Sequence, residues 1–227
     1  MRGLTLAAFL FLSPVLVAQN YFFDNYSVTG GIAQSTIFDI HQDQNDYIWL
    51  GTRAGTSRFD GIEFINYTVE NGMAQNGVRV IFRDKNNQLW FGHSGGGITV
   101  FDGRKFRIFS ASGSLFKSDI TAIIEDDNNN LWITSELSGV IRISQIADSL
   151  SASEYKLYKG HDLSDRVYNA FKDRNGVLYF ITDAFLKTYT PEEDQFKSFF
   201  VEGMPTYFLI TCMYEDRKDN LWFGTHH

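Results

Sequence analysis

The chain has 227 residues, of which 44% are hydrophobic and 21% charged, with a formal net charge of −7. That balance supports a globular core of one large or two small domains, and the acidity excludes nucleic acid as a partner, because no basic surface could displace counterions from phosphates. The lone cysteine, Cys212, excludes a disulfide framework and a thiolate metal site. Aromatic residues reach 16%, with only three prolines, a mixture that suits strands joined by tight turns.

Residues 1–18 read as a secretory signal peptide. Arg2 precedes an apolar run from Leu4 to Val17, and Leu16-Val17-Ala18 offers a small residue before Gln19. The run is short for a membrane span, although a retained N-terminal anchor is the alternative. Cleavage would place the mature chain outside the cytoplasm, in the periplasm. No other stretch is long and apolar enough to cross a bilayer.

From residue 29 onward one pattern recurs. All four tryptophans share a setting: Ile48-Trp49-Leu50-Gly51, Leu89-Trp90-Phe91-Gly92, Leu131-Trp132-Ile133-Thr134 and Leu221-Trp222-Phe223-Gly224. Leu178-Tyr179-Phe180-Ile181 is a degenerate fifth copy, and the anchors lie 41, 42, 47 and 43 residues apart. A period in the low forties indicates one four-stranded unit per repeat, as in a β-propeller blade. The blade periods fall near 29–69, 70–111, 112–159, 160–201 and 202–227.

Each period opens on an alternating strand, for example "STIFDIHQD" (35–43) or "VRVIFRD" (78–84). An Asn/Asp turn, the Trp strand, a Gly-rich turn, a third strand, a short turn and a fourth strand follow. Asp60-Gly61 and Asp102-Gly103 are hairpin signals between strands three and four. In the third repeat "SQIADSLSASEYKLYKG" predicts a polar loop inserted at the blade's outer edge. In the fourth, "TPEEDQ" (190–195) predicts an enlarged hairpin turn. The tryptophans are expected to pack between neighbouring blades rather than to stack on sugars.

Three local motifs invite chemical readings. Gly92-His93-Ser94-Gly95-Gly96 matches the nucleophile elbow of serine hydrolases, but a true elbow leads into a helix and Ile98-Thr99-Val100-Phe101 reads as a strand. The same place in the first repeat holds Gly51-Thr52-Arg53-Ala54-Gly55, so a tight turn accounts for the glycines. Asp84-x-Asn86-x-Gln88 and Asp126-x-Asn128-x-Asn130 resemble calcium loops yet lack the glycine and the distal glutamate, and turn hydrogen bonding explains them. His41, His161, His226 and His227 have no spacing that suits zinc. No catalytic residue, metal or cofactor is assigned. The sequons at Asn25 and Asn66 would matter only in a eukaryotic secretory host.

The chain resembles the two-component regulator propeller repeat family. The resemblance rests on the loop Gly72-Met73-Ala74-Gln75-Asn76-Gly77-Val78, echoed by Gly31-Ile32-Ala33-Gln34-Ser35, on the stretch from Asp84 to Gly92, and on that from Gly97 to Gly103. It covers nearly everything after residue 20. The third repeat loses the Asp-Gly turn, and the fourth has Tyr179 for Trp. The resemblance implies an extracytoplasmic, ligand-sensing, non-enzymatic part of a bacterial membrane signal-transduction protein. Further blades, a transmembrane helix, a cytoplasmic output such as a histidine kinase, and pairing of two copies of the intact parent are implied with it. An oligosaccharide or other small molecule is the implied ligand.

"YFFDNYSV" (21–28) matches the fourth-strand pattern, and "NLWFGTHH" stops two strands into a blade. Pairing of 21–28 onto 219–225 would close a five-bladed ring with a gap in its last sheet. An open arc of a larger ring, poorly soluble or self-associating on its own, is the favoured expectation. Ligands of propellers usually sit on the face made by fourth-to-first strand loops and second-to-third strand turns. That face carries Gln34, Arg53, Gln75, Asn76, His93, Ser94, Lys117 and Glu136, with Arg53 and His93 at equivalent points of adjacent blades. The competing functions are a secreted propeller lyase or glycosidase, for which the first strands offer only Asp39, His41 and Glu125, and a protein-binding scaffold.

Overall fold

A computed structural model describes residues 23–109, 117–146, 149–157, 166–183, 186–200, 202–203 and 209–226. The signal-peptide reading, His161 and His227 lie outside the described residues. Among those described, no helix is long and apolar enough to cross a membrane.

The fold is all-β. Four antiparallel sheets hold four strands each and a fifth holds two. The first blade is β1 (Ile37–Gln42), β2 (Ile48–Thr52), β3 (Gly55–Phe59) and β4 (Phe64–Tyr67). The second is β5 (Val78–Arg83), β6 (Leu89–His93), β7 (Ile98–Phe101) and β8 (Phe106–Phe109). The third is β9 (Ile120–Glu125), β10 (Leu131–Ser135), β11 (Gly139–Ile146) and β12 (Ser149–Tyr155). The fourth is β13 (Val167–Lys172), β14 (Leu178–Thr182), β15 (Leu186–Thr190) and β16 (Gln195–Phe199). β17 (Leu209–Glu215) and β18 (Leu221–His226) form the fifth sheet. The first strands touch one another in series, β1 to β5 to β9 to β13 to β17, so each blade presents strand one inward and strand four outward. Every first strand is bulged at the same point, at Phe38, Arg79, Thr121, Tyr168 and Thr211. A bulge bends a strand and sharpens its twist, which suits strands crowded on an inner ring.

One turn chemistry repeats five times between strands one and two. An aspartate closes the turn with Oδ1, which accepts the backbone N–H groups two and four residues on. For Asp84 these come from Asn86 (2.9 Å) and Gln88 (2.8 Å). The same carboxylate's Oδ2 accepts the indole N–H of the tryptophan six residues on, at 2.9 Å for Trp90. Asp43, Asp126 and Asp216 hold Trp49, Trp132 and Trp222 in the same way at 2.8, 2.8 and 3.0 Å, and Asp173 takes the Tyr179 hydroxyl at 3.3 Å. The third residue after each aspartate is left-handed: Asp46, Asn87, Asn129, Gly176 and Asp219. Asn, Asp and Gly tolerate that conformation best, which is why the turns are built from them. The aspartates therefore spend their oxygens on the turn, and the calcium-like spacing reflects that use.

The anchored rings pack between blades. Trp49 lies with Val78, Ile81, Leu89 and Phe91 of the second blade. Trp90 lies with Ile120, Ile123 and Leu131 of the third, Trp132 with Val167, Leu178 and Phe180 of the fourth, and Tyr179 with Ile210 of the fifth. The glycine two residues after Trp serves the same contact. A Cβ at Gly92 would stand 2.5 Å from Ile120 Cγ2 of the next blade. That close approach, not a nucleophile, requires the glycine, and β7 rather than a helix follows Ser94.

Two expectations are corrected. Residues 23–27 form no strand, and a short 3₁₀ turn at Val28–Gly30 follows; Tyr26 instead packs on Phe59 and Phe64, 4.9 and 5.5 Å between ring centroids. A fourth-strand pattern becomes a strand only where a third strand offers it a ladder, and β18 pairs with β17. The insertion of the third repeat is not a loop: β11 and β12 pair in unbroken register from Val140↔Tyr155 to Ile146↔Ser149, because alternating residues extend the hairpin. The enlarged turn of the fourth repeat is present at residues 191–194.

Candidate functional site

The loops entering strand one and the turns leaving strand two meet at one end of the blades. Their backbone is set by the Gly-x-Ala-Gln motif. Ile32 and Met73 are buried, and the next residue's N–H is caught by a strand-three hydroxyl: Ala33 by Ser57 Oγ at 3.0 Å, Ala74 by Thr99 Oγ1 at 2.9 Å. Gln75 then donates to the carbonyls of Gly96 (3.2 Å) and Gly95 (3.4 Å), tying loop to turn within the second blade.

Asp119 ties this turn to the third blade. It accepts the Gly95 N–H at 2.6 Å and pairs with Arg79, while its carbonyl accepts the Glu136 N–H at 2.9 Å. Asp119 and Arg79 escaped the sequence reading, since nothing in the spacing of one repeat shows that two side chains 40 residues apart meet across a blade junction. Gln75, Ser94 and Glu136 thus belong to one connected group. Asn76 belongs to another: its Oδ1 accepts the Val69 N–H at 2.9 Å, in the 3₁₀ turn that ends the first blade. Gln34 holds its own loop through the Thr36 N–H. Arg53 and Lys117 are exposed and make no polar contact among the described residues.

His93 is placed otherwise than expected. It is 0% exposed. Nδ1 lies 3.1 Å from the Gly77 carbonyl, to which it must donate, and Nε2 lies 2.8 Å from Thr99 Oγ1, whose hydroxyl it accepts. This is the neutral imidazole, and burial lowers its pKa to about 4. His93 is therefore a clamp under the 74–77 loop and cannot grip a ligand beside Arg53. Register explains the difference. Thr52 pairs with Gly55, whereas the His93 N–H reaches the Gly97 carbonyl, so the second turn is one residue longer and Ser94, not His93, corresponds to Arg53.

The central strands carry no catalytic arrangement of Asp39, His41 and Glu125. Asp39 accepts the Ile81 N–H (2.7 Å) and the Ile40 N–H (2.8 Å), and burial raises its pKa. Glu125 sits at the other end of its strand and accepts the Lys85 N–H at 3.1 Å. Burial lowers the His41 pKa, with Arg83 adding to it.

Residues 31–54, 72–95, 114–136 and 203–227 match the two component regulator propeller family. Each window runs from an entry loop through strands one and two, the segment that carries the Asp–Trp turn. Histidine kinase P4 of Formosa agariphila is 41% identical over 58 residues, a quarter of this chain and 4% of that protein. Extracellular domains of two hybrid two component systems from B. thetaiotaomicron share the fold with TM-scores of 0.68 and 0.69, at 21% and 19% identity. They align with 83% and 89% of this chain, which spans 26% and 27% of them. Virginiamycin B lyase from Staphylococcus aureus has a TM-score of 0.61 at 15% identity, over 82% of this chain and 62% of the lyase. Fold, repeat and turn chemistry agree with that match: the chain carries four two-component regulator propeller repeats.

Proposed function

We propose that the chain is the extracytoplasmic, ligand-sensing part of a bacterial membrane signal-transduction protein, and that its ligand is an oligosaccharide. The observation that carries this reading is the family match, whose windows end on the turns that present Arg53, Ser94 and Glu136. An exposed Arg53 and half-buried Ser94 and Glu136 on a hydrogen-bonded frame suit recognition of hydroxyls. The parent is longer, with further blades and an output domain such as a histidine kinase. The chain's share of its relatives supports that, as does exposed Trp222, whose counterparts are each covered by a neighbouring blade. A lyase-like activity has the lyase fold in its favour, but Asp39 is committed to backbone N–H groups and has no partner acid.

Glycan-array binding tests the proposal. Arg53→Ala and Lys117→Ala, both on exposed side chains, are each expected to weaken a bound glycan by about tenfold, the worth of one charge-assisted hydrogen bond. Unchanged binding in both variants would remove this face from the reading.

A further inference from the structure

The opposite end of the blades carries a cleft at each of the first three junctions, between the Asp turn of one blade and the strands of the next. The first cleft holds about 40 Å³ and the second about 70 Å³. The third, between blades three and four, holds about 420 Å³. Residue correspondence explains the difference. Tyr47 lines the first cleft, with the Arg58 guanidinium 4.4 Å above its ring. In the third, Asn130 replaces that tyrosine and folds back onto Asp126, donating at 3.2 and 2.9 Å. Arg142, the counterpart of Arg58, is drawn to the 191–194 turn instead: Nη1 donates to the Tyr189 hydroxyl (2.8 Å) and to Asp194 (3.1 Å). In the second cleft Leu150 of the lengthened hairpin lines the space. The third cleft is open because the ring that Tyr47 supplies in the first is missing, while Arg142 still lines the space as Arg58 does.

We propose that this third cleft is a binding site for a small, uncharged, polyhydroxylated molecule, a sugar or polyol. The charges around it are already matched. Asp126 accepts from its turn and from Trp132, Asp127 pairs with Lys172 at 2.9 Å, and Arg142 pairs with Asp194. A charged ligand would find no free counter-charge. The side-chain amides of Asn128 and Asn175 line the cleft and have no partner among the described residues, so each offers a donor and an acceptor. Val177 and Pro191 supply apolar wall. The volume falls within the range of about 300–1,000 Å³ typical of small-molecule sites. This site is independent of the Arg53 face, which lies at the other end of the strands.

Calorimetric titration of the folded chain with glucose, galactose and maltose, and with glucuronate and glucosamine as charged counterparts, tests it. Saturable binding of a neutral sugar is expected. Asn128→Ala with Asn175→Ala should weaken it by at least about tenfold, since two hydrogen bonds are lost. Asn130→Tyr, which restores the missing ring, should abolish it, and Arg53→Ala should leave it unchanged. Thermal melts verify that each variant is folded, and the Asn128 and Asn175 amide resonances should shift with the neutral sugar. The proposal fails if no neutral sugar saturates, if a charged sugar binds more tightly, or if the folded Asn variants bind as the parent does. Loss in Arg53→Ala alone would assign the sugar to the other face.

Discussion

His93 shows how far a residue's neighbours can overrule its type. A histidine beside a serine in a glycine-rich turn looks chemical, yet both its nitrogens are engaged inside the sheet. Its pKa is held near 4 by burial, below the ordinary value of 6.5. The unfolded chain therefore binds a proton that the folded chain refuses as pH falls. Its contribution to stability is whole above about pH 6.5 and is lost progressively down to about pH 4, by up to about 3 kcal/mol. Urea melts across that window should show the loss, and His93→Thr, the residue of the first blade, should flatten this part of the pH profile. The turn aspartates are the second residue-scale case. Asp84→Ala leaves two backbone N–H groups and the Trp90 indole N–H without their acceptor and is expected to cost about 2–4 kcal/mol. Asp84→Asn, which keeps one acceptor oxygen, should cost less in the same melts.

Between elements, the blade junctions differ in charge. The last residue of a first strand reaches the preceding blade's turn. Glu125 meets Lys85, Glu215 meets Arg174, and the third junction is reversed, with Lys172 on Asp127. The glutamates accept the backbone N–H of Lys85 and Arg174, whereas Lys172–Asp127 is a solvent-exposed ion pair that contributes only about 0.2–1 kcal/mol. Their value is in discriminating junctions, because a blade set against the wrong neighbour would oppose like charges. Asp127→Lys should destabilise the chain within that range, and adding Lys172→Glu should recover it. A double-mutant cycle in denaturant melts would measure the coupling, and a coupling of zero would remove the pair from the account.

For the whole molecule, stability is a series of nearest-neighbour contacts, as in other repeat proteins. Trp132 is 0% exposed between blades three and four, whereas Trp222, with the same Asp contact, is 61% exposed. Trp132→Ala should cost about 3–5 kcal/mol, and Trp222→Ala less than about 1 kcal/mol, in this chain. The first and fifth sheets also leave Ile40 and Tyr214 each 63% exposed. Apolar side chains at both ends of the series predict concentration-dependent self-association in sedimentation velocity. A sharp monomer at all concentrations would count against it.

The repeat, the strand order and the Asn/Asp turns were legible in the sequence, because their signals lie within one period and recur every forty or so residues, and the packing of the tryptophans between blades followed from that recurrence. The strand extension at β11–β12 was not, since a polar alternating stretch reads alike as loop or hairpin until a partner strand satisfies its backbone. The burial of His93, the bridging by Asp119 and the opening of the third cleft were decided by the tertiary structure alone. Each depends on where separate elements meet, within a blade or across a junction, and spacing along one chain carries no record of the distance between groups that only packing brings together.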